Sequence, residues 1–468
     1  MDAGPPGRRR SVSTPSGFPA LLGSDLDWRD ATEPQENLNA RRLAWPRGKV
    51  LGGSGSLSAM IHLRGCRADY DAWCALGNPG WGFDDLAELW TDPPPSSRVI
   101  EPNKLTEAFL EACKSCGIKR YGEFTGPQEE GAGIYPTARV NGERWSAVCA
   151  FLTPALKRGN LTVWTGVQAV RVVTENGRAT GVEYLLKGSR QRVRAEHEVI
   201  LCAGAVGSPK LLLLSGIGPA EDLDQLGIQV VSPLSGVGAN LQDPPAVSLR
   251  WTCPQPVSLD GAATWRNVAE YRLRRSGPLA SNLIEGGAFL KSSSAVPACD
   301  LEILFAPLYA LERGLDPPAA HHGFTLLAAL LAPASRGRLT LRSADPRDLP
   351  RIDPAYLTAP EDKDLLEQAA EKARAIVASP PFAPYRGEGA SPQDADEIEE
   401  KTVSLHRAAG TCRMGTSEDC VTDVSLRVRG IEGLRVADAS IMPTLPRAHP
   451  NATVMVIAEK AARLIRQS

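Results

Sequence analysis

Near the C-terminal end of the sequence the apolar pattern changes period, and that change constrains the fold more than any other stretch. Residues 434–437 form a short β-favouring run that stops at Asp438-Ala439-Ser440, small polar residues that let the backbone turn tightly or lie close to a ligand. From Asn451 onward, Val454, Ile457, Ala458, Ala461, Leu464 and Ile465 recur at helical spacing, with Glu459, Lys460, Arg463 and Arg466 between them. Asn451 is the expected N-cap of that helix. His449 would then stand beside the helix's first free N–H groups, where negative charge is favoured and an imidazole can move a proton near neutral pH.

A second strand, turn and helix lie further upstream. The run EVILCA at 198–203 reads as a buried strand, and AGAVGSPKLLLLSGIG follows it with Pro209 expected to open an apolar helix. That succession describes an α/β fold in which ligands sit at the carboxyl end of a strand. Between Arg41 and Gly65, Gly48, Gly52, Gly53 and Gly55 alternate with Ser54, Ser56 and Ser58. Backbone amides in such a loop can approach a ligand closely, although a glycine loop alone equally describes a tight turn.

The remaining chain divides by texture. Helices are expected over 68–90 in two pieces, over 105–117 and over 144–156, with a Pro/Ser-rich connector at 91–103. Strands at 161–173 and 179–185 would meet across Asn176-Gly177. From 245 to 400 the segments lengthen and alternate, as at 248–252, 300–307, 323–331 and 337–341. These describe a mixed or antiparallel sheet in a second, α+β domain.

A chain of 468 residues, 43% hydrophobic and 23% charged, is long enough for two or three packed layers or two domains. A net charge of -2 leaves no basic footprint for nucleic acid. No apolar run reaches the roughly 18 residues of a membrane span, and the first stretch lacks the apolar centre of a secretory signal, so a cytoplasmic or organellar-matrix protein is expected. Of ten scattered cysteines, Cys113 and Cys116 form the one close pair, and both fall in helical periodicity as ordinary thiols. His321 and His322 sit in a Pro/Ala/Gly loop without a third ligand, so no metal site is expected.

Three long blocks stand in order: WPRGKVLGGSGSLSAMIHLRG, CAGAVGSPKLLLLSGIGP, and GTCRMG through LRVRGIEGLRVADASIMP to NATVMVIAEKAA. Together they resemble the glucose-methanol-choline (GMC) family of flavoenzymes, its choline-dehydrogenase-like members above all. The resemblance implies an FAD-binding three-layer α/β domain assembled from residues 1–244 and 401–468, and a substrate domain at 245–400. It also implies oxidation of an alcohol CH–OH group, the hydroxyl proton going to a histidine and the hydride to flavin N5. By motif, Gly48, Gly52, Gly53, Ser54 and Ser58 would line the flavin, while Asp438, Ala439, Asn451 and Thr453 would hold its central and pyrimidine parts. Ala169, in TGVQAVRV, would meet the adenine. Leu57 replaces the histidine to which some oxidases attach flavin, which implies noncovalent FAD, and Ile284 replaces the cysteine of the light-driven decarboxylases. Glu285, in SNLIEGGAF, matches the acidic position that meets the cationic head in choline-acting members; an exposed sheet carboxylate is the alternative.

The departures are as specific as the matches. MDAGPP looks like the end of a second strand bearing the ribose-binding acid, Asp2, yet no Gly-x-Gly-x-x-Gly follows a strand anywhere in the 468 residues. The chain as given is therefore expected to bind FAD weakly or not at all. Ser58 stands where Asn is usual, and Pro244 where His usually follows NLQD. His449 fits the second histidine-or-asparagine position of the family, and is the expected base. The first base belongs three residues before the glycine of GTCRMG, which is Arg407; His406 lies one residue further upstream. A slip of one residue turns a side chain to the opposite face, so His406 reaches the flavin only through a bulge. Two alternatives stand beside alcohol oxidation: a descendant that has lost FAD, and a hydroxynitrile-lyase-type member that uses FAD structurally. The electron acceptor is not indicated.

Overall fold

The computed structural model describes residues 1–467 apart from 8, 91–100, 123, 125, 310–321 and 391–394. His321 and most of the expected connector thus lie outside the described residues.

Of the alternating segments after residue 245, Arg338–Thr340 pairs separately with Arg351–Asp353, whereas those at 248–252, 300–307 and 323–331 join one large antiparallel sheet. Its strands run in the order Gly389–Ala390, Pro245–Cys253, His322–Leu330, Leu301–Ala306, Gly286–Leu290 and Gly131–Ile134, with Thr402–Ser404 also paired to Pro245–Cys253. Period-two alternation sorts the side chains of its middle strand. Leu301, Ile303 and Phe305 are fully buried on the face covered by the helices Lys104–Ser115 and Pro360–Ala378, where Phe305 stacks on Phe109 at 4.8 Å. Burying each such side chain contributes about 1.5–3 kcal/mol. The alternate residues, Glu302, Leu304 and Ala306, turn to the other face, whose apolar lining includes Ile61, Leu63, Tyr135 and Ala448. A carboxylate on that buried face needs partners. The sheet draws Gly131–Ile134 and its covering helix Lys104–Ser115 from before residue 245, and Thr402–Ser404 from after residue 400.

The α/β part rests on a parallel pair, Val199–Leu201 beside Leu434–Val436. Residues 167–175 and 178–186 form the expected hairpin, with Asn176 and Gly177 both at positive φ as a two-residue turn requires, and Ser189–Arg194 adds a third strand.

Several elements depart from expectation for identifiable reasons. Pro209 does not open its helix, which spans Gly204–Leu214. A proline inside a helix leaves the carbonyl four residues back without its donor, and the hydroxyl of Thr411 supplies one, donating to the Ala205 carbonyl at 2.7 Å. The terminal helix spans Pro450–Gln467 and begins two residues before the start that an Asn451 N-cap implies, because the fixed φ of Pro450 suits the first helical position. His449, rather than Asn451, immediately precedes it. The expected helix at 144–156 is an irregular succession of short turns beginning at Val148, while Arg144 belongs to a short strand and is buried. Residues 68–90 hold one helix, Arg67–Ala75, and only a short 3-10 turn at Ala87–Leu89.

Candidate active site

The glycine loop folds back on itself so tightly that side chains are excluded. A Cβ on Gly48 would lie 2.3 Å from the Gly53 carbonyl carbon, and Gly52, at φ +89°, would press one against Ser56 and Val148. Gly53 differs: its φ is +59°, and a Cβ there would meet nothing within 4 Å. The loop therefore leaves bare backbone facing open space at Gly53. Ser54 closes the loop by accepting from the Gly48 amide at 3.0 Å, and Ser58 donates to the Gly55 carbonyl at 3.2 Å. Arg144, which nothing in the sequence singled out, staples this loop from beneath. Its guanidinium donates to the carbonyls of Val12 at 2.8 Å and Ser58 at 2.6 Å, and burial lowers its pKa to about 10.

The turn after the parallel strand closes on the same region. Asp438 is fully engaged: one oxygen accepts from the Gly204 amide at 2.9 Å and the Ser208 hydroxyl at 2.5 Å, the other from the Ser440 amide and hydroxyl. It ties the turn at 203–208 to the turn at 438–441, and the Ala439 carbonyl accepts from the Gly410 amide. From the terminal helix, Asn451 reaches the glycine loop, its Oδ1 lying 3.2 Å from where a Gly55 Cβ would be. Thr453 is buried against the hydroxyl of Tyr70 at 2.8 Å. Ala169 lies on the strand Val167–Glu175 beside a register shift. Asp2 joins that strand's approach, its amide donating to the Trp164 carbonyl and its own carbonyl accepting from Val167.

The turn before GTCRMG decides which side chain meets His449. Asp243 grips it from below: Ser404 and Tyr356 donate to one of its oxygens, and the Arg407 amide to the other, each at 2.5 Å. His406 consequently adopts a left-handed φ of +58°, and successive side chains diverge. Arg407 swings to His449, with Nη2 2.9 Å from Nε2. His406 turns the other way: its Nδ1 is buried without a hydrogen-bond partner, and burial, reinforced by the charge of Arg47, pushes its pKa down to about 3. Among the described residues the rings of His406 and His449 share no hydrogen-bond partner.

Around His449 the structure assembles a buried polar cluster that sequence reasoning missed. Glu302 Oε2 pairs with Arg407 Nη1 at 2.9 Å, as an ion contact rather than an aligned hydrogen bond, and Oε1 lies 3.2 Å from His449 Nε2. Tyr135 donates to the same Oε1 at 2.7 Å and sets its ring edge-on to the imidazole at 5.8 Å. Tyr135 reaches this position because Gly287 has no side chain; a Cβ there would fall 1.9 Å from its hydroxyl. Burial alone would raise the pKa of Glu302, but Arg407 first, then His449 and Tyr135, outweigh it and hold the carboxylate down to about 2. Burial, aided by Arg407 and opposed by Glu302, keeps the pKa of His449 below its ordinary value, so the ring is neutral at neutral pH. Its Nδ1 makes no hydrogen bond among the described residues and is the ring atom left to meet a ligand. The only sequence signal for Glu302 was a charged residue inside an otherwise apolar strand, LEILFA.

Glu285 adjoins this cluster through its backbone, its carbonyl accepting from the Tyr135 amide at 2.9 Å. It is 2% exposed, and its carboxylate accepts from the Asn103 amide at 2.8 Å, the Thr106 hydroxyl at 2.7 Å and the Ser281 hydroxyl at 2.7 Å. Asn103 caps the helix Lys104–Ser115, so this carboxylate serves the positive end of that helix. Among the described residues no group of three His, Cys, Asp or Glu could hold a metal ion, and no helix is long and apolar enough to cross a membrane.

Comparison with known proteins adds three kinds of likeness. Family models described as GMC oxidoreductase match residues 13–246 and 333–458. An uncharacterized GMC-type oxidoreductase of Mycobacterium bovis is 40% identical over 100% of this chain and 94% of its own length. An alcohol dehydrogenase [acceptor] of Pseudomonas putida is 36% identical over 99% of this chain and 90% of its own. Among solved structures, pyridoxine 4-oxidase from Mesorbium loti superposes with a TM-score of 0.88 at 29% identity, covering 100% of this chain and 94% of that one.

Proposed function

Because the chain belongs to the GMC oxidoreductase family, we propose that it oxidises the CH–OH group of an uncharged alcohol, with noncovalently bound FAD. One observation carries this reading: the His449 imidazole, held from behind at Nε2 and open at Nδ1, stands at the start of the helix whose Asn451 touches the bare glycine loop. The open backbone at Gly53 and the bridge made by Asp438 fit a flavin lying between the loop and the turn at 438–441. Gly52, Gly53, Asn451 and the backbone of Asp438 and Ala439 would hold it. FAD, when bound, supplies a hydride acceptor. This chain's part is to hold the alcohol so that His449 takes its hydroxyl proton while the sheet face with Leu304 and Ala306 excludes water.

The preference for an uncharged substrate follows from charge accounting. Glu302 is neutralised by Arg407, and both oxygens of Glu285 are taken by three donors of the protein itself. Neither carboxylate is free to face a quaternary ammonium. Anaerobic reduction of the FAD-reconstituted protein should therefore proceed with primary aliphatic or aromatic alcohols, and with choline at least about tenfold more slowly, the scale of one lost ionic contact of about 1.4 kcal/mol. Equal rates with choline would count against the assignment of Glu285 as a helix anchor.

A second reading is that the polypeptide 1–468 does not by itself retain the cofactor, since no strand, Gly-x-Gly-x-x-Gly turn and helix falls within these residues. The polypeptide 1–468 is expected to emerge from gel filtration with little or no visible flavin absorbance. A stoichiometric flavin band would remove this second reading.

A further inference from the structure

His449 Nε2 has two neighbours that make opposite demands on it. Arg407 is a donor only, at 2.9 Å, and needs a lone pair on Nε2; ionised Glu302 is an acceptor only, at 3.2 Å, and needs a proton there. A neutral ring can satisfy one of them. If Arg407 wins, Nδ1 carries the proton and cannot act as a base. If Glu302 wins, Nδ1 presents its lone pair to the substrate. Arg407 has an outlet that His449 lacks, since its Nη1 already lies 2.9 Å from Glu302 Oε2. Tyr135 fixes Oε1 by donating to it, and Ala329 and Phe289 pair with Glu302 across the sheet, so the backbone that carries this carboxylate is fixed from both neighbouring strands.

We propose that Glu302 is the positioning residue of His449: it accepts the Nε2–H and makes Nδ1 the ring atom that receives the substrate proton, while the charge of the adjacent Arg407 disfavours a second proton on the ring beforehand. The assignment rests on the alcohol-oxidation reading. In the step it describes, the alcohol O–H bond breaks and an N–H bond forms at Nδ1; FAD, when bound, would supply the acceptor for the carbon-bound hydrogen and its electron pair. The imidazolium so formed keeps Nε2–H on Glu302, whose charge stabilises it, as an acidic residue does for a catalytic imidazole in other enzymes. Arg407, Glu302 and Tyr135 are the titratable groups facing the ring.

The test reads the ring directly. In the polypeptide 1–468 labelled with 15N-histidine, His449→Asn identifies the His449 signals among the six histidines. At neutral pH the wild-type ring should carry its proton on Nε2. In Glu302→Gln the proton should move to Nδ1, because Arg407 then claims the Nε2 lone pair. A wild-type ring protonated on Nδ1, or one unaltered by Glu302→Gln, would overturn the proposal. Should Glu302→Gln fail to fold with Arg407 left unpaired, Glu302→Gln/Arg407→Met removes both charges; it should lose the tautomer preference and titrate nearer the ordinary histidine range, and wild-type shifts in it would equally overturn the proposal. These signals need no turnover. A protein that oxidises no alcohol would leave them as expected, whereas a wrong tautomer in a protein that depends on His449 sinks this inference alone.

Discussion

Replacing His449 by alanine should slow reduction of bound flavin by alcohol about a hundredfold or more, the usual scale for losing a positioned general base. His406→Ala should leave that rate within a few-fold of wild type. The contrast follows from the turn held by Asp243, which sends Arg407 to His449 and turns the His406 ring away toward Arg47. Anaerobic stopped-flow reduction of both variants, reconstituted with FAD, measures the difference. A larger loss in His406→Ala would mean that the base belongs to the other ring.

The second large effect is on stability. Arg407 and Glu302 are 6% and 0% exposed, so truncating one strands the charge of the other in the interior. Arg407→Ala should therefore destabilise the fold by about 3–5 kcal/mol at neutral pH, seen as a lower urea midpoint. The effect should also depend on pH with a definite sign. Glu302 is depressed from an ordinary value of 4.5 to about 2 in the folded protein, so its contribution is fully present above about pH 4.5 and fades as the pH falls toward 2. In Arg407→Ala the same carboxylate, buried without its cation, would be easier to protonate. The gap between wild type and variant should thus narrow on acidification through that window. A gap unchanged between pH 7 and pH 3 would show that the pair does not carry the stability.

Local chemistry made much of the chain legible before any contact was known. The Asn176-Gly177 turn, the strand Leu434–Val436, the amphipathic face of the terminal helix and the alternation of LEILFA are each written within a few residues, because side-chain period and turn geometry are local properties. The glycine loop was legible for the same reason, since Gly48 and Gly52 occupy positions where the loop's own backbone and neighbouring side chains exclude a Cβ. Even so, a local cost can be met from far away. Pro209 looked like a helix start because nothing nearby shows that Thr411 will supply the donor its ring removes.

The candidate site is the reverse case. His449 and Glu302 are 147 residues apart, and whether Glu302 faces the site or the covering helices depends on the phase of a strand fixed by its pairing with residues 286–290 and 322–330. Glu285 matched an expected recognition position, yet its side chain is committed to the start of a helix some 180 residues earlier in the chain, a distance in sequence that local pattern cannot bridge. The sequence by itself determined the terminal helix, the hairpin turn and the alternation of the central strand, and that a histidine stands before the last helix. Only the tertiary structure decided that Arg407, and not His406, meets that histidine, because a buried aspartate at position 243 holds the intervening backbone in a left-handed turn that no neighbouring residue requires.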